Sequence, residues 1–235
     1  MYHAFMPDND VLFETLTDKK GGCLGKIILN RPRALNALSG DMFAELEQRL
    51  TAWHTDSSVK AVLIRSHCDK AFCAGGDIRA IYEAKAEPTE IVAQYFRHEY
   101  HINRLVHHFK KPYIALTNGV TMGGGVGLSL HGSHCVASPD LRWAMPETSI
   151  GFFPDVGSTY YLSRLKNYIG FYLALTGNII SAEDAFCSSE DINSKTSCLS
   201  SSARVISSII RWSEANLPAS FLKSSDLAFA IRLLS

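Results

Sequence analysis

Asn118-Gly-Val-Thr-Met-Gly-Gly-Gly-Val-Gly127 follows the apolar run Tyr113-Ile-Ala-Leu-Thr117 and leads into a helix-compatible segment. Glycines after a strand let a ligand approach the backbone and leave N–H groups free to face it. A helix starting there adds partial positive charge, which favours an anionic oxygen. Ala71-Phe-Cys-Ala-Gly-Gly-Asp-Ile-Arg79 repeats the arrangement after the apolar run Ala61-Val-Leu-Ile-Arg65. Two such N–H groups converging on one atom would make an oxyanion hole, although either turn alone reads as an ordinary tight turn. Neither is a standard nucleotide-phosphate loop. No Gly-Lys-Ser/Thr follows, and Gly123-Gly-Gly-Val-Gly127 does not fit G-x-G-x-x-G with its acidic partner.

The flanking segments alternate between strand and helix patterns. Val11–Thr17 and Leu24–Asn30 are β-rich and separated by the turn residues Asp18-Lys-Lys-Gly-Gly22, which predicts a hairpin. Ser39 suits the N-cap of a helix near Gly40–Asp56, where Met42, Phe43, Leu46 and Leu50 share a face. A long helix is predicted over Thr89–Phe109, stopped by Lys111-Pro112. Strands alternating with helices predict an α/β fold with a mostly parallel sheet. The core is expected over residues 1–186. From 187 to 235 the composition turns serine-rich, which predicts a linker and a helical tail with a helix resuming near Ala203–Asn216.

Composition narrows the partners. The 235 residues carry 23 basic and 23 acidic side chains, so no basic excess points to nucleic acid. No apolar run reaches the length of a membrane span. Cys23, Cys68, Cys73, Cys135, Cys187 and Cys198 form no C-x-x-C pair and do not combine with the histidines at zinc-ligand spacing. His107-His108 and His131…His134 read as surface histidines, and no metal is expected. The first ten residues lack a signal-peptide pattern and are acidic where a transit peptide would be arginine-rich, so the cytoplasm is the default expectation.

Four segments together resemble the crotonase (enoyl-CoA hydratase/isomerase) superfamily. They are Asn30-Arg-Pro-Arg-Ala-Leu-Asn-Ala-Leu38, Phe72-Cys-Ala-Gly-Gly-Asp-Ile78, Gly119-Val-Thr-Met-Gly-Gly-Gly-Val-Gly-Leu128 and Ala144-Met-Pro-Glu-Thr-Ser-Ile-Gly-Phe-Phe-Pro-Asp-Val-Gly157. The resemblance implies a spiral of β-β-α units, an acyl-CoA substrate in an extended groove, and a homo-oligomer built from trimers. It places the oxyanion N–H groups on Gly76 and Gly124. CoA contacts fall on Arg33, Ala74 and Gly75, and Asp77 is structural. No cofactor is implied beyond the CoA of the substrate.

The carboxylates sort the members of the superfamily. Its hydratases carry a glutamate three residues after the second oxyanion glycine, and here that position is Gly127, which moves no proton. The later glutamate is present as Glu147, the strongest catalytic candidate. Asp155, taken alone, suits the N-cap of a helix through Arg164, and Glu99 suits the solvated face of the long helix. Members that hydrolyse 3-hydroxyisobutyryl-CoA, however, share Met-Pro-Glu-Thr, Phe-Pro-Asp-Val-Gly and a Phe-Arg-x-Glu-Tyr segment, matched here by Phe96–Tyr100. The resemblance thus implies hydrolysis of a short 3-hydroxyacyl-CoA thioester, with Glu147 and Asp155 catalytic and Glu99, Gly124, Glu147 and Asp155 around the substrate. The alternatives are an enoyl-CoA isomerase using Glu147 alone and a non-catalytic CoA-binding member of the fold.

Overall fold

The computed structural model describes residues 9–17, 21–83, 89–190 and 209–211. The first two strands, β1 (Val11–Thr17) and β2 (Cys23–Leu29), form the expected antiparallel hairpin, with Val11 opposite Leu29 and Thr17 opposite Cys23. Part of its turn, residues 18–20, lies outside the described residues. Ser39 Oγ accepts the Met42 N–H and caps α1 (Gly40–Thr55). This helix buries Met42, Phe43, Leu46, Leu50 and Trp53. Gly25 of β2 is where the Trp53 ring rests, since a Cβ there would meet the ring at 2.7 Å.

From β3 (Val59–Ser66) onward the chain repeats one movement. A long strand lies in the first sheet, a short strand turns into a second sheet, and a helix or turn follows. The first pass is β3, β4 (Ala71–Cys73), α2 (Ile78–Glu83) and α3 (Thr89–His107). The second is β5 (Tyr113–Thr117), β6 (Val120–Met122) and α4 (Gly124–Leu130). The third is β7 (His134–Ala137) and β8 (Arg142–Ala144), followed by a short 3-10 helix over Pro146–Ile150. Then come α5 (Ser158–Leu162), α6 (Ile169–Thr176), β9 (Ile180–Ser181), α7 (Ala182–Glu190) and β10 (Ile209–Arg211).

The six-stranded sheet runs β1-β2-β3-β5-β7-β10 and the four-stranded sheet runs β4-β6-β8-β9. Beyond the hairpin the first sheet is parallel, and β4, β6 and β8 are mutually parallel in the second. The fold is therefore α/β and mostly parallel, wound as a spiral of β-β-α units. Because the first sheet is covered on its faces, β3 and β5 read as nearly continuous apolar runs. Among the described residues no helix is long and apolar enough to cross a membrane.

One expectation for the tail is corrected. Ile209–Arg211, inside the segment expected to be helical, is a strand pairing parallel with β7, Ile209 opposite Cys135. Adjacent β-branched isoleucines favour the pleated backbone, and the edge of β7 offers unpaired ladder groups. The remainder of the expected linker and tail lies outside the described residues.

Asn36 ties the loop before α1 to the second sheet. It is fully buried and left-handed, with φ 57°. Its Nδ2 donates to Ser66 Oγ at 2.7 Å, Phe72 O at 2.9 Å and Ala71 O at 3.3 Å, and its Oδ1 accepts the Arg31 N–H at 2.8 Å. Asn tolerates this backbone region better than most residues. Asn36→Ala strands buried partners and keeps the strained φ, so a loss of about 3 kcal/mol in unfolding free energy is expected. Urea denaturation measures it; a loss under about 1 kcal/mol would show that the loop is held elsewhere.

Candidate active site

Parallel strands end on the same side of their sheet. The second sheet therefore delivers its three following turns to one edge: Ala74-Gly75-Gly76 after β4, Gly123-Gly124 after β6, and Met145-Pro146-Glu147 after β8. The first two turns touch. A Cβ placed on Gly124 would lie 3.5 Å from the Gly76 nitrogen, and one placed on Gly75 would lie 3.7 Å from the Gly124 nitrogen. Neither the Gly76 nor the Gly124 N–H finds an acceptor among the described residues. Gly75 carries φ 108°, a conformation L side chains rarely adopt, and this bends the first turn towards the second.

The long helix α3 packs across this edge with a stripe spaced by four residues, Tyr95, Glu99 and Asn103. Tyr95 Oη donates to Leu38 O at 2.9 Å, accepts the Asp77 N–H at 3.2 Å, and sits 2.5 Å from where a Cβ on Gly76 would be. Glu99 Oε1 occupies the space a Cβ on Gly124 would need. Asn103 Oδ1 comes within 2.6 Å of a Cβ on Gly127, whose other side meets Val156 Cβ at 3.0 Å. The room at position 127 is thus already filled by Asn103 and Val156.

Three carboxyls gather here. Glu99 is 4% exposed and Glu147 is 8% exposed. Asp155 is half-buried, with Oδ2 accepting a 2.7 Å hydrogen bond from Tyr100 Oη. Glu147 Oε2 is buried with no hydrogen-bond partner among the described residues. Burial, reinforced by the charges of Asp155 and Glu147, pushes Glu99 up to about 8. Burial, reinforced by Asp155, pushes Glu147 up to about 7. Burial also raises Asp155, opposed by the Tyr100 hydrogen bond. A cavity of about 520 Å³ opens beside Asp155, lined also by Tyr100, Asn103, His107, His131 and Tyr161. Glu147 and the two glycines are not on its wall, so this space adjoins the carboxyl cluster and does not contain it.

Several sequence readings meet the geometry directly. Glu99, which suits a solvated helix face when read alone, is buried. Asp155 does not cap a helix with its side chain: Val156 (φ 44°) and Gly157 (φ 75°) prolong the turn, Gly157 takes the N-cap, and α5 begins at Ser158. The freed carboxylate turns to Tyr100 instead. Arg33 is mostly exposed and paired with Asp10 at 3.5 Å. The Ala74 N–H donates to Leu35 O at 3.0 Å and Gly75 O accepts the Leu38 N–H at 2.8 Å, so both atoms bind the early loop to the turn. Asp77 bridges to Arg31 at 2.7 Å.

His131, expected at the surface, is half-buried, with Nε2 2.6 Å from Val156 O. Among the described residues no group of three His, Cys, Asp or Glu could hold a metal ion. Tyr95 and Asn103 escaped the sequence reading, and their four-residue spacing from Glu99 on one helix was the available signal. Tyr100 was read only as part of the Phe96–Tyr100 segment, without its bond to Asp155.

A family model described as enoyl-CoA hydratase/isomerase matches residues 24–205. The chain belongs to the enoyl-CoA hydratase/isomerase family. Among curated members, the mitochondrial 3-hydroxyisobutyryl-CoA hydrolase of Homo sapiens is 48% identical over 187 residues, covering 79% of this chain and 48% of that protein. Its Danio rerio counterpart is 49% identical over 176 residues, covering 75% and 45%. The chain spans about half the length of the curated relatives it matches. Among solved family structures, an enoyl-CoA hydratase from Rhodobacter sphaeroides 2.4.1 superposes with TM-score 0.77 at 33% identity, over 95% of this chain and 58% of that one. A carnitinyl-CoA dehydratase from Mycobacterium thermoresistibile gives 0.71 at 39%, over 77% and 52%.

The raised carboxyls predict a pH dependence of stability. Unfolded, Glu99 releases its proton near 4.5; folded, it holds it to about 8. Between those values the folded chain binds more protons, so this group's contribution to stability falls as pH rises. Glu99→Gln removes the penalty. Thermal melts should show a Tm gain of a few degrees near pH 8 and none near pH 4. A gain of equal size at both pH values would mean that folding leaves the carboxyl's pKa unshifted.

Proposed function

We propose that the chain hydrolyses a short 3-hydroxyacyl-CoA thioester, with 3-hydroxyisobutyryl-CoA the first candidate substrate. The observation that carries this reading is Glu147 Oε2, buried and unpartnered, on the same edge as two free glycine N–H groups. A buried carboxyl oxygen without a partner is costly, and such atoms concentrate where chemistry needs them. Relatives named as 3-hydroxyisobutyryl-CoA hydrolases support the substrate class.

In this reading the Gly76 and Gly124 N–H groups hold the thioester oxygen and stabilise the charge that grows on it. Glu147 either attacks the carbonyl carbon, giving a mixed anhydride that water opens, or takes a proton from the attacking water. In both routes the C–S bond breaks and CoA leaves as the thiol. Asp155, fixed by Tyr100, and Glu99 contact the acyl group and orient its 3-hydroxyl or the water. Arg33 and the Ala74–Gly75 turn lie towards the CoA moiety, which enters as part of the substrate. Water addition to a double bond by two glutamates is disfavoured, because Gly127 offers no proton and Asn103 fills its space. Isomerisation by Glu147 alone would leave the two further carboxyls without a task.

Glu147 must be ionised to act in either route, so CoA release should rise with pH through about 7. Glu147→Gln keeps the shape but removes base and nucleophile, and should lower kcat by at least about 1000-fold while leaving ester binding within a few-fold. Free-thiol release from 3-hydroxyisobutyryl-CoA and crotonyl-CoA, run side by side, measures this. Turnover of the hydroxy ester surviving in Glu147→Gln would remove Glu147 from the chemistry. A single turnover in heavy-oxygen water then separates the routes, since label entering Glu147 marks the anhydride.

A further inference from the structure

The Glu99 carboxyl meets the turn after β6 at the spot where its charge matters most. Its Oε1 fills the space beside the Gly124 backbone, and the Gly76 nitrogen lies 3.5 Å from that same point. Glu99 is 4% exposed, and among the described residues no hydrogen bond or ion pair reaches it. The charged groups acting on it from the packed elements are both carboxylates, Asp155 ahead of α5 and Glu147 after β8. Its own charge in turn pushes up Tyr95 and Tyr100 on α3 and the Cys73 thiol at the end of β4. An ionised carboxylate here would repel the negative charge growing on an oxygen held by Gly76 and Gly124, with little water to screen it. A neutral carboxyl reverses the sign, because its O–H is a hydrogen-bond donor.

We propose that Glu99 works as a neutral carboxylic acid, a third donor to the ligand oxygen beside the two glycine N–H groups, and that the site switches off when Glu99 ionises. The inference takes its substrate from the hydrolase reading, whereas the protonation state belongs to the site itself. Burial and the two neighbouring carboxylates push this group up to about 8, which keeps it protonated at neutral pH. Glu147, pushed less far, still ionises below it. Two carboxyls on one edge thereby take opposite states in the same pH window, which is how acid and base roles separate.

The test compares Glu99→Gln with Glu99→Ala in the 235-residue chain. Glutamine keeps a neutral donor of the same shape and alanine removes it. Alanine should lower kcat on the order of 100-fold, and glutamine should stay within about tenfold of wild type. The wild type should lose activity above about pH 8, and glutamine should abolish that alkaline limb. Equal losses in both variants, with the limb intact, would overturn the proposal. Infrared difference spectroscopy gives a readout free of turnover: a protonated-carboxyl C=O band at neutral pH that vanishes in Glu99→Gln. A chain that shows the band but releases no CoA refutes the hydrolase reading and leaves Glu99 a neutral acid. An active chain without the band does the reverse.

Discussion

The contact that organises this molecule is the stripe of α3, Tyr95, Glu99 and Asn103, lying against Gly76, Gly124 and Gly127. At each of these positions a Cβ would collide with the facing side chain, so the glycines are demanded by packing as much as by backbone freedom. The same close approach brings a helix carboxyl to the edge where two backbone N–H groups are unpaired. Shifting α3 by one turn would replace Glu99 with Tyr95 or Asn103 at Gly124 and empty the site of that carboxyl. The helix is held in register from its other side by α1, through Phe43 against Tyr95 at 5.2 Å between ring centroids. Packing of an ordinary core thus fixes the placement of the polar groups.

That placement carries an electrostatic cost. Three carboxyls face one another, and none of the groups that shift Glu99 or Glu147 upward is a cation. Such a cluster survives in a folded chain because protonation relieves it: the proton stays where the water is scarcest. Asp155 escapes by accepting the Tyr100 hydroxyl, whose own proton is held by burial and by the Asp155 bond. The three side chains therefore form a graded series, from the donor-stabilised Asp155 through Glu147 to the isolated Glu99. The gradient follows first from how deeply each carboxyl is buried and then from the donors it finds.

Much of the fold was legible in the sequence because it depended on local signals. Ser39 announced α1, Lys111-Pro112 closed α3, and Tyr113–Thr117 declared β5 by five consecutive buried residues. The glycine-rich turns around Gly76 and Gly124 were legible as turns, but the roles given to them and to Glu147 came from the resemblance of four segments, and the short strands that bring the three to one edge left no signal of their own. What escaped the reading depended on distance in sequence. Asn36 is defined by bonds to Ser66 and Phe72, some thirty-odd residues away, and no local pattern announces them. Asp155 looked like a cap because caps are local, yet its partner Tyr100 lies 55 residues earlier. The strand at Ile209–Arg211 likewise exists through β7, and its serine-rich surroundings argued for something else.

The groups invoked at the reacting centre fall between Gly76 and Asp155, most on turns that follow paired strands and Glu99 on α3. Their geometry is consequently set by β4, β6 and β8 together with α3. Nothing in those pairings draws on the chain beyond α7. The longer relatives match this chain over about half of their length. Exclusion of water from this edge strengthens every interaction described above. A neutral Glu99 is the group most sensitive to that exclusion, because drying the edge raises its pKa further while leaving the two N–H donors unchanged. Access to water, more than the identity of the donors, is then the variable that sets the pH at which Glu99 ionises.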